Sequence, residues 1–319
     1  MSVRLVTRDV TTTELARRIE GGRQHAVASG SHPLDTHKAC VVLHDGEHFV
    51  GCAVVELYHH ETSNGWAYLE ELYLEVPYRR RGLGALMLRA VEARAYEFGA
   101  RQIWTRTAGY EAPDFYAGQG YARCYELERQ FRSGHSKVGF RKRLTAVSSM
   151  DVLATPLPAS LRLTERAMTQ TESDRIAEGF VEHAQQFDNP RQTHQRLGLV
   201  ALAGEDFVGC VSGLALHEAS SYNRWFVLTD LFVEPDHRGQ GVGTALLRGL
   251  EQHIATLGLE YVSQWMAGYQ SPGFFHSRGY ETFCTFESWH PGDYDRLGLR
   301  KSLLRDSFDP HSFDPNGAR

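Results

Sequence analysis

The sequence predicts an α+β protein, in a three-layer α/β arrangement, made of two copies of one domain. In each copy a mixed sheet has helices on both faces. Residues recur at a nearly constant offset along almost the whole chain, and each copy has one glycine-bearing loop between an apolar strand and a helix. Because only two long copies exist, the repeat indicates duplication of a complete domain and not a solenoid.

The repeat is visible in identical residues. Gly46-Glu-His-Phe-Val-Gly-Cys52 returns as Gly204-Glu-Asp-Phe-Val-Gly-Cys210, an offset of 158 residues. After one inserted residue the offset is 159, so that Gly120-Tyr121 returns as Gly279-Tyr280. A single insertion over this length predicts that the two copies share one order of elements.

Each copy begins with a strand and a helical region, and then continues with two strands joined by a tight turn. Asp45-Gly46 is the hairpin signal in the first copy. The loop strand, its helix, a further strand, a short helix and a closing strand follow. In the first copy these elements are predicted at Val3–Val6, Leu15–Ile19, Cys40–His44, Phe49–Tyr58, Leu69–Val76, Leu83–Ala95, Gln102–Thr107, around Phe115, and up to Leu144.

The glycine loops are the most informative motif. Pro77 ends an apolar strand, and Arg79-Arg-Arg-Gly-Leu-Gly84 then opens a helix. In the second copy Arg238-Gly-Gln-Gly-Val-Gly243 follows Pro235 in the same way. A helix N-terminus has unpaired N–H groups and the positive end of the helix dipole, so both loops predict a phosphate site. The pattern Arg-x-x-Gly-x-Gly fits neither a Walker loop nor the dinucleotide fingerprint.

The domain boundaries are predicted from the repeat and from composition. The copies are residues 1–145 and 161–305. Residues 146–160 carry prolines, alanines and serines and are predicted to be a linker. Residues 306–319 have little apolar content and are predicted to be a flexible tail.

Composition limits the partners. A net charge of −5 gives no reason to expect nucleic acid or an anionic membrane. The five cysteines are odd in number and lack Cys-x-x-Cys spacing, which predicts free thiols in a reducing compartment. No leader-like apolar segment and no run of eighteen apolar residues occurs, so we expect a cytoplasmic protein. The sixteen histidines are scattered, and no metal site is predicted.

The paired loops resemble those of the GCN5-related N-acetyltransferase (GNAT) family, whose Arg/Gln-x-x-Gly-x-Gly/Ala loop binds acetyl-coenzyme A. The resemblance covers almost the whole chain and implies two tandem GNAT-like domains with mostly antiparallel sheets. It implies acetyl-coenzyme A as cofactor, with the pantetheine arm along the loop strand and the pyrophosphate on the loop amides. The cofactor-binding residues that it implies are Leu72, Tyr73, Leu74, Arg79, Arg80, Arg81, Gly82, Leu83, Gly84 and Ala85 in the first copy, and Leu231, Phe232, Val233, Arg238, Gly239, Gln240, Gly241, Val242, Gly243 and Thr244 in the second.

Two adjacent acids in the loop strand are candidates for the base that deprotonates an amine. Regular alternation would point Glu70 and Glu71 to opposite faces of the sheet. A charged side chain in such an apolar strand is unfavourable unless it faces a cleft or forms a salt bridge. By resemblance to family members that acetylate polyamines, Glu70 is the implied base, with Glu71 as its neighbour. The second copy has Thr229-Asp230 at these positions, so only the second acid, Asp230, is kept.

The acid that protonates the leaving thiolate is implied by a second segment. Tyr116 lies in Phe115-Tyr-Ala-Gly-Gln-Gly-Tyr121, which resembles the family's Phe-Tyr-x-x-x-Gly-Phe/Tyr. An ordinary core tyrosine remains the alternative. The second copy has Phe275 there, which has no proton to give.

The sequence therefore predicts a transferase, an acetyl-coenzyme A-dependent N-acetyltransferase that acts directly on a small-molecule amine, mainly through its N-terminal half. Two alternatives stay open: acetylation of a protein or peptide, and a binding or sensor module with negligible turnover. We expect an intramolecular pseudo-dimer, as a monomer or a homodimer, without nucleic-acid or membrane partners. Neither the acceptor nor the preferred acyl chain follows from the sequence.

Overall fold

The computed structural model describes residues 3–190, 193–218 and 221–304, and the predicted tail at 306–319 lies outside them. The described residues form two seven-stranded sheets with helices, which confirms the predicted α+β fold. They divide into two compact units. One unit is Pro33–Pro190, and the other combines the residues up to His32 with those from 193 onward.

The elements are named in chain order. Up to Pro190 they are β1 (Val3–Thr7), α1 (Thr12–Ala28), β2 (Asp35–Asp45), β3 (His48–His60), β4 (Thr62–Leu74), α2 (Leu83–Phe98), β5 (Gln102–Ala108), α3 (Pro113–Gly118), β6 (Ala122–Leu127), β7 (Lys137–Arg143), α4 (Ser149–Leu153), β8 (Leu161–Glu165) and α5 (Gln170–Gln185). The remaining elements are β9 (Thr193–Ala203), β10 (Asp206–Glu218), β11 (Ser221–Val233), α6 (Val242–Thr256), β12 (Tyr261–Ala267), α7 (Pro272–His276), β13 (Glu281–His290) and β14 (Tyr294–Ser302).

Both sheets are mixed and mostly antiparallel. The strand order is β6-β7-β5-β4-β3-β2-β8 in the unit Pro33–Pro190, and β1-β9-β10-β11-β12-β14-β13 in the other. Among the described pairings, only β4 with β5 and β11 with β12 are parallel. In each unit the long helix (α2 or α6) bridges the parallel pair, because parallel strands need a crossover connection.

Each unit takes its first strand and first helix from the other repeat copy. β8 pairs with β2, with Leu161 opposite Asp45, and β1 pairs with β9. Helix α5 then packs on the first copy's β4, where Arg175 forms an ion pair with Glu75 at 2.6 Å. The predicted boundaries follow the repeat and the compact units follow contacts, so the two divide the chain differently. A repeat shows which residues are equivalent, and it does not show on which copy they pack.

Helices α1 and α5 both begin with a complete capping box. The hydroxyls of Thr11 and Thr169 accept from the backbone of Glu14 and Glu172, whose carboxylates accept in return from the N-cap amides. Each capping box thus satisfies two backbone N–H groups at the N-terminus of its helix. The predicted helical segment Leu15–Ile19 lies within α1, which begins earlier, at Thr12, because of the capping box.

The segment predicted to be a linker contains a short helix. Ser149–Leu153 forms α4, and the carboxylate of Glu97 on α2 accepts from the Ser149 backbone at 2.7 Å and from its hydroxyl at 2.8 Å. Val152 is buried in the core that α2 covers. Part of residues 146–160 is therefore packed structure, which composition did not indicate.

All five cysteines are free, as predicted, and four of them are buried. No helix in the described part of the chain is both long enough and apolar enough to span a membrane.

Neighbouring glycines on α1 give a test of how this helix packs. A Cβ added at Gly21 would overlap the ring of Phe232 on β11, whereas one added at Gly22 meets nothing within 4 Å. We expect Gly21→Ala to destabilise the protein by about 1–3 kcal/mol through overpacking. Gly22→Ala should stabilise it by about 0.5–1 kcal/mol, because alanine is the better helix former. Denaturant unfolding of both variants checks this, and equal effects would contradict the described packing of α1.

Candidate active site

A cleft of about 980 Å³ opens in the unit Pro33–Pro190 where two parallel strands separate. β4 pairs with β5 only from Trp66–Gln102 to Tyr68–Trp104. Just beyond, the hydroxyl of Thr105 donates to the Leu69 carbonyl at 3.0 Å, so a side chain replaces the backbone ladder. The edge of β4 that follows is left facing the cleft, where an extended ligand could pair with it.

A β-bulge lies at the start of this separation. Val54 on β3 is opposite Glu71 and Val55 is opposite Leu69, which leaves Glu70 as the extra residue. A bulge shifts the side-chain alternation by one position. Leu69 therefore packs into the core beneath α2, while Tyr73 packs in the opposite cluster with Val54. The bulge also breaks the alternation from which opposite faces were predicted for the two glutamates.

Glu71 lines the cleft with a partly buried carboxylate. Its Oε2 is buried and has no hydrogen-bond partner among the residues that the structure describes. Burial raises the pKa of Glu71 above its usual value, the charge of Glu70 raises it further, and Lys38 opposes both. A buried acceptor without a donor is unusual in a folded protein and points to a ligand that supplies the donor.

Glu70 has a different environment. It is exposed, and the ammonium group of Lys38 lies 2.6 Å from its carboxylate. Both glutamates line the cleft, but only Glu71 offers an unpaired oxygen.

The loop before α2 is shaped for an anion. The Arg79 side chain donates to the Leu74 carbonyl at 2.8 Å, and Arg80 and Gly82 have positive φ values of 60° and 79°. The first bond within α2 comes from Leu86, and no side chain caps the helix, in contrast to the boxes of α1 and α5. The amides of the first turn are thus left for a ligand, and acetyl-coenzyme A fits here because its pyrophosphate needs such donors.

Eight of the ten predicted cofactor residues of the first copy line the cleft, and two do not. The guanidinium of Arg81 lies over the Tyr78 ring, and Leu83 is buried in the core. The lining residues are Leu72, Tyr73, Leu74, Arg79, Arg80, Gly82, Gly84 and Ala85.

Tyr116 on α3 is buried and lines the same cleft. Burial raises its pKa well above the usual value, and a hydrogen bond with Thr105 opposes this only in part. The phenol therefore stays protonated throughout the physiological pH range.

Helix α5 completes the cleft with Gly179, Phe180 and His183, which the sequence reasoning missed. A Cβ at Gly179 would overlap the hydroxyl of Tyr73. A glycine within a helix costs stability and often marks a close approach, so Gly179 was the available signal. Arg106, Thr107 and Glu111 also line the cleft and were also missed.

The second unit has a bulge at the equivalent place, but the acid that follows it has different partners. A bulge again occurs before Asp230, but its carboxylate accepts from Arg18, from Arg196 at 3.0 Å, from Ser212 at 3.0 Å and from Thr229 at 2.7 Å. Asp230 is therefore paired at both oxygens.

The second glycine loop keeps the geometry of the first. Arg238 donates to the Val233 carbonyl at 3.0 Å, Gly239 and Gly241 have positive φ values of 73° and 84°, and no side chain caps α6. The hydroxyl of Thr244 accepts from Arg278 at 2.5 Å. The other cofactor residues predicted here have contacts within the protein. Phe232 and Val242 are buried, and Leu231 and Val233 pack against the core. The Gln240 side chain donates to the Asp236 carbonyl, and Gly243 faces Phe274.

A sequence model of the Acetyltransferase (GNAT) family matches residues 13–121 and 162–280, more than half of the chain. The chain belongs to this family. The predicted family and its tandem arrangement are thereby confirmed, and so is acetyl-coenzyme A as the family's cofactor. The match includes both glycine loops, Tyr116 and Phe275.

Solved structures of single acetyltransferases match about one copy each. An acetyltransferase from Bacillus cereus is 21% identical over 43% of this chain and 95% of its own, with a TM-score of 0.37. A putative acetyltransferase from Agrobacterium tumefaciens is 20% identical over 44% and 98%, with a TM-score of 0.35. An aminoglycoside 6'-N-acetyltransferase in complex with coenzyme A is 16% identical over 44% and 84%, with a TM-score of 0.29. No curated protein matches the chain significantly.

Among the described residues no cluster of three histidines, cysteines or carboxylates could hold a metal ion.

The glycines of the two loops allow each to be tested separately. A Cβ at Gly84 would lie 3.7 Å from the Phe115 ring, and one at Gly243 would lie 3.5 Å from Val233, so both sites accept a side chain. We expect Gly84→Glu to weaken coenzyme A binding at the first loop at least tenfold, because its carboxylate opposes the phosphate at the helix N-terminus. Calorimetry of wild type, Gly84→Glu and the matched Gly243→Glu assigns each site. Unchanged affinity and stoichiometry in Gly84→Glu would contradict the first one.

Proposed function

We propose that this protein is an N-acetyltransferase that transfers an acetyl group from acetyl-coenzyme A to a primary amine of a small molecule, and that the cleft of Pro33–Pro190 is its catalytic site. The observation that carries the proposal is the unpartnered buried oxygen of Glu71, in the same cleft as Tyr116 and the uncapped helix α2.

The cofactor supplies an acetyl thioester when it is bound. The amides at the start of α2 would hold its pyrophosphate, and the open edge of β4 at Leu72–Leu74 would hold its pantetheine arm. Glu71 and Tyr116 line the same cleft and would be the acid and base groups available to the bound thioester.

Transfer then requires that one carbon–nitrogen bond forms while one carbon–sulfur bond breaks. Glu71 accepts the proton that the amine loses as its nitrogen bonds to the carbonyl carbon. Its raised pKa suits this role, because a base with a pKa closer to the working pH is the better acceptor. Tyr116 donates its phenol proton to the departing sulfur and recovers a proton from solvent.

This assignment differs from the one that the resemblance implied. Glu70 is an exposed partner of Lys38, and we assign it the role of fixing that charge next to the base. Glu71 takes the proton-accepting role because it is buried and unpaired.

We assign the second unit a different role, binding of coenzyme with little or no turnover. Its glycine loop keeps the shape of the first. Asp230, however, is held by two arginines and two hydroxyls, and Phe275 lacks the proton that Tyr116 offers. A carboxylate whose acceptor sites are already occupied is a poor base.

The role of Glu71 predicts a pH-dependent loss. Glu71→Gln should lower kcat/KM by about 10²–10⁴ near pH 7, the usual range for a positioned base, and the loss should shrink at high pH where the free amine is abundant. Glu70→Gln is the matched control and should cost far less. A pH-rate profile for each variant, from coenzyme A thiol release, decides the assignment. Equal losses at every pH would contradict it.

The same substitution predicts a change in stability of known sign. The pKa of Glu71 is higher in the folded protein than its ordinary value of 4.5, so its ionisation opposes folding. At pH values above the folded-state pKa, Glu71→Gln should therefore raise the Tm. This gain in Tm should disappear as the pH falls below about 4.5. Thermal unfolding from pH 3 to pH 8 checks this, and a lower Tm at pH 8 would show a structural role instead.

The role of Tyr116 predicts a defect in turnover and not in binding. Tyr116→Phe should lower kcat about tenfold or more, while the KM for acetyl-coenzyme A stays within a few fold, because thiolate departure loses its acid. Asp230→Asn should leave kcat nearly unchanged and lower the Tm, since Arg18 and Arg196 lose their anion. Steady-state kinetics of both variants is the test. Loss of activity in Asp230→Asn with full activity in Tyr116→Phe would place catalysis in the second unit.

A further inference from the structure

Arg106 on β5 is a cleft-lining cation without an ionic partner. It is exposed, and its guanidinium carbon lies 6.0 Å from the ring centroid of Tyr68 on β4. None of the carboxylates in the described part of the chain forms a salt bridge with it. A cation held over an aromatic face in this way is oriented and still free to bind an anion.

Two carboxylates that line the cleft are already engaged. Glu70 pairs with Lys38, and the Oε2 of Glu111 accepts from the Thr107 hydroxyl and from the Ala108 backbone. Outside the glycine loop, Arg106 is the arginine that lines the cleft among the described residues, and it has no counter-charge.

A second cation lies on the same face of the sheet. Ala108 pairs with Lys137 on β7, and Arg106 pairs with Gly139, so that the two basic residues are two positions apart on one face. The Lys137 ammonium lies 6.0 Å from the Phe131 ring centroid. Burial and, to a smaller extent, the charge of Arg106 together lower the pKa of Lys137 to about 8. Two positive groups held together without an anion favour an anionic ligand over a cationic one.

The second unit does not keep this arrangement. Trp265 stands at the position of Arg106, and Arg296 stands at that of Lys137. The Arg296 guanidinium lies 5.2 Å from the Trp265 ring centroid and 4.8 Å from that of Trp289, so aromatic rings cover it. The pair of cations is therefore a property of the unit that contains Glu71, and within it Arg106 lines the cleft.

We propose that the acceptor of this enzyme is an amine that also carries an anionic group, a carboxylate or a phosphate, and that Arg106 with Lys137 binds this group. The inference rests on the proposed function, since it names the substrate class of the same cleft. A guanidinium bonds either anion in a bidentate manner.

The strand sets the spacing between the two groups of such a substrate. Tyr68, beneath Arg106, precedes Glu71 by three residues with a bulge between them, which is about 7–10 Å along β4. An amine at Glu71 and an anion at Arg106 are then joined by a few bonds, as in amino acids and short aminoalkyl phosphates. A polyamine would instead bring a second positive charge against Arg106 and Lys137.

Matched pairs of amines test the proposal in the full-length wild-type protein. Thiol release is compared for phenylalanine and phenethylamine, for histidine and histamine, for leucine and isoamylamine, and for phosphoethanolamine and ethanolamine. We expect at least one acid to exceed its partner without the anionic group in kcat/KM by about tenfold or more, the usual worth of a charge-assisted hydrogen bond. The first three pairs report a carboxylate and the last a phosphate. Equal or higher values for every partner without the anionic group would overturn the proposal.

Substitution of Arg106 assigns the effect to this residue. Arg106→Gln should raise the KM of the preferred acid about 10–100-fold and change its kcat by less than threefold. Both constants of the partner amine without the anionic group should also stay within threefold. Lys137→Met should act in the same direction. Arg89→Gln, which replaces an exposed arginine on α2 outside the cleft, is the control and should leave both substrates unchanged. An equal loss of kcat/KM in Arg106→Gln for the acid and for its partner without the anionic group would overturn the proposal.

Binding gives a readout that does not depend on turnover. N-acetylphenylalanine, N-acetylhistidine, N-acetylleucine and N-acetylphosphoethanolamine, each with its uncharged counterpart, are titrated into the coenzyme A-saturated protein by calorimetry. The inference is supported if an acid binds the wild type more tightly than its counterpart does and this preference is lost in Arg106→Gln. That result supports the inference even if no amine releases thiol. In that case the proposed function fails and the inference does not. Equal binding of every acid and its counterpart overturns the inference, even if amines without an anionic group are acetylated.

Discussion

The parallel ladder between β4 and β5 stops after Tyr68–Trp104, and the rest of the site depends on this ending. If the ladder continued, the backbone of Leu72–Leu74 would be bonded to β5, and no groove would remain for a pantetheine arm. The extra residue Glu70 begins the divergence, and the Thr105 hydroxyl satisfies the Leu69 carbonyl where backbone pairing ends. One bulge thus opens the cleft and sets the direction of the next acid.

The two copies show how one backbone supports two electrostatic environments. Val54 stands opposite Glu71, whereas Ser212 stands opposite Asp230 and donates to it at 3.0 Å. Arg18 on α1 adds a charge to Asp230. An acid among apolar neighbours keeps a raised pKa and an open acceptor, while an acid among donors becomes part of an ion-pair network. The proposed division between a catalytic and a binding cleft follows from these neighbours.

The exchange of first strands and helices brings residues of both copies to one cleft. The cleft of Pro33–Pro190 uses β4 of the first copy and α5 of the second, and α5 contributes Phe180 and His183 to its wall. A substitution in the second copy can therefore change the acceptor site of the first. The ion pair between Arg175 and Glu75 and the close contact of Gly179 with Tyr73 position the helix there.

The sequence by itself determined the fold class, the duplication and both glycine loops before a helix, because strand periodicity, helix periodicity and the glycine pattern are properties of the sequence alone. Gly82 and Gly241, for example, have the positive φ values that their loops require. Only the tertiary structure decided which acid is buried, because Glu70 and Glu71 are chemically identical and the bulge at Glu70 gives them different surroundings. It also decided which copy supplies α5, since a repeat defines equivalence and side-chain packing between distant segments decides pairing.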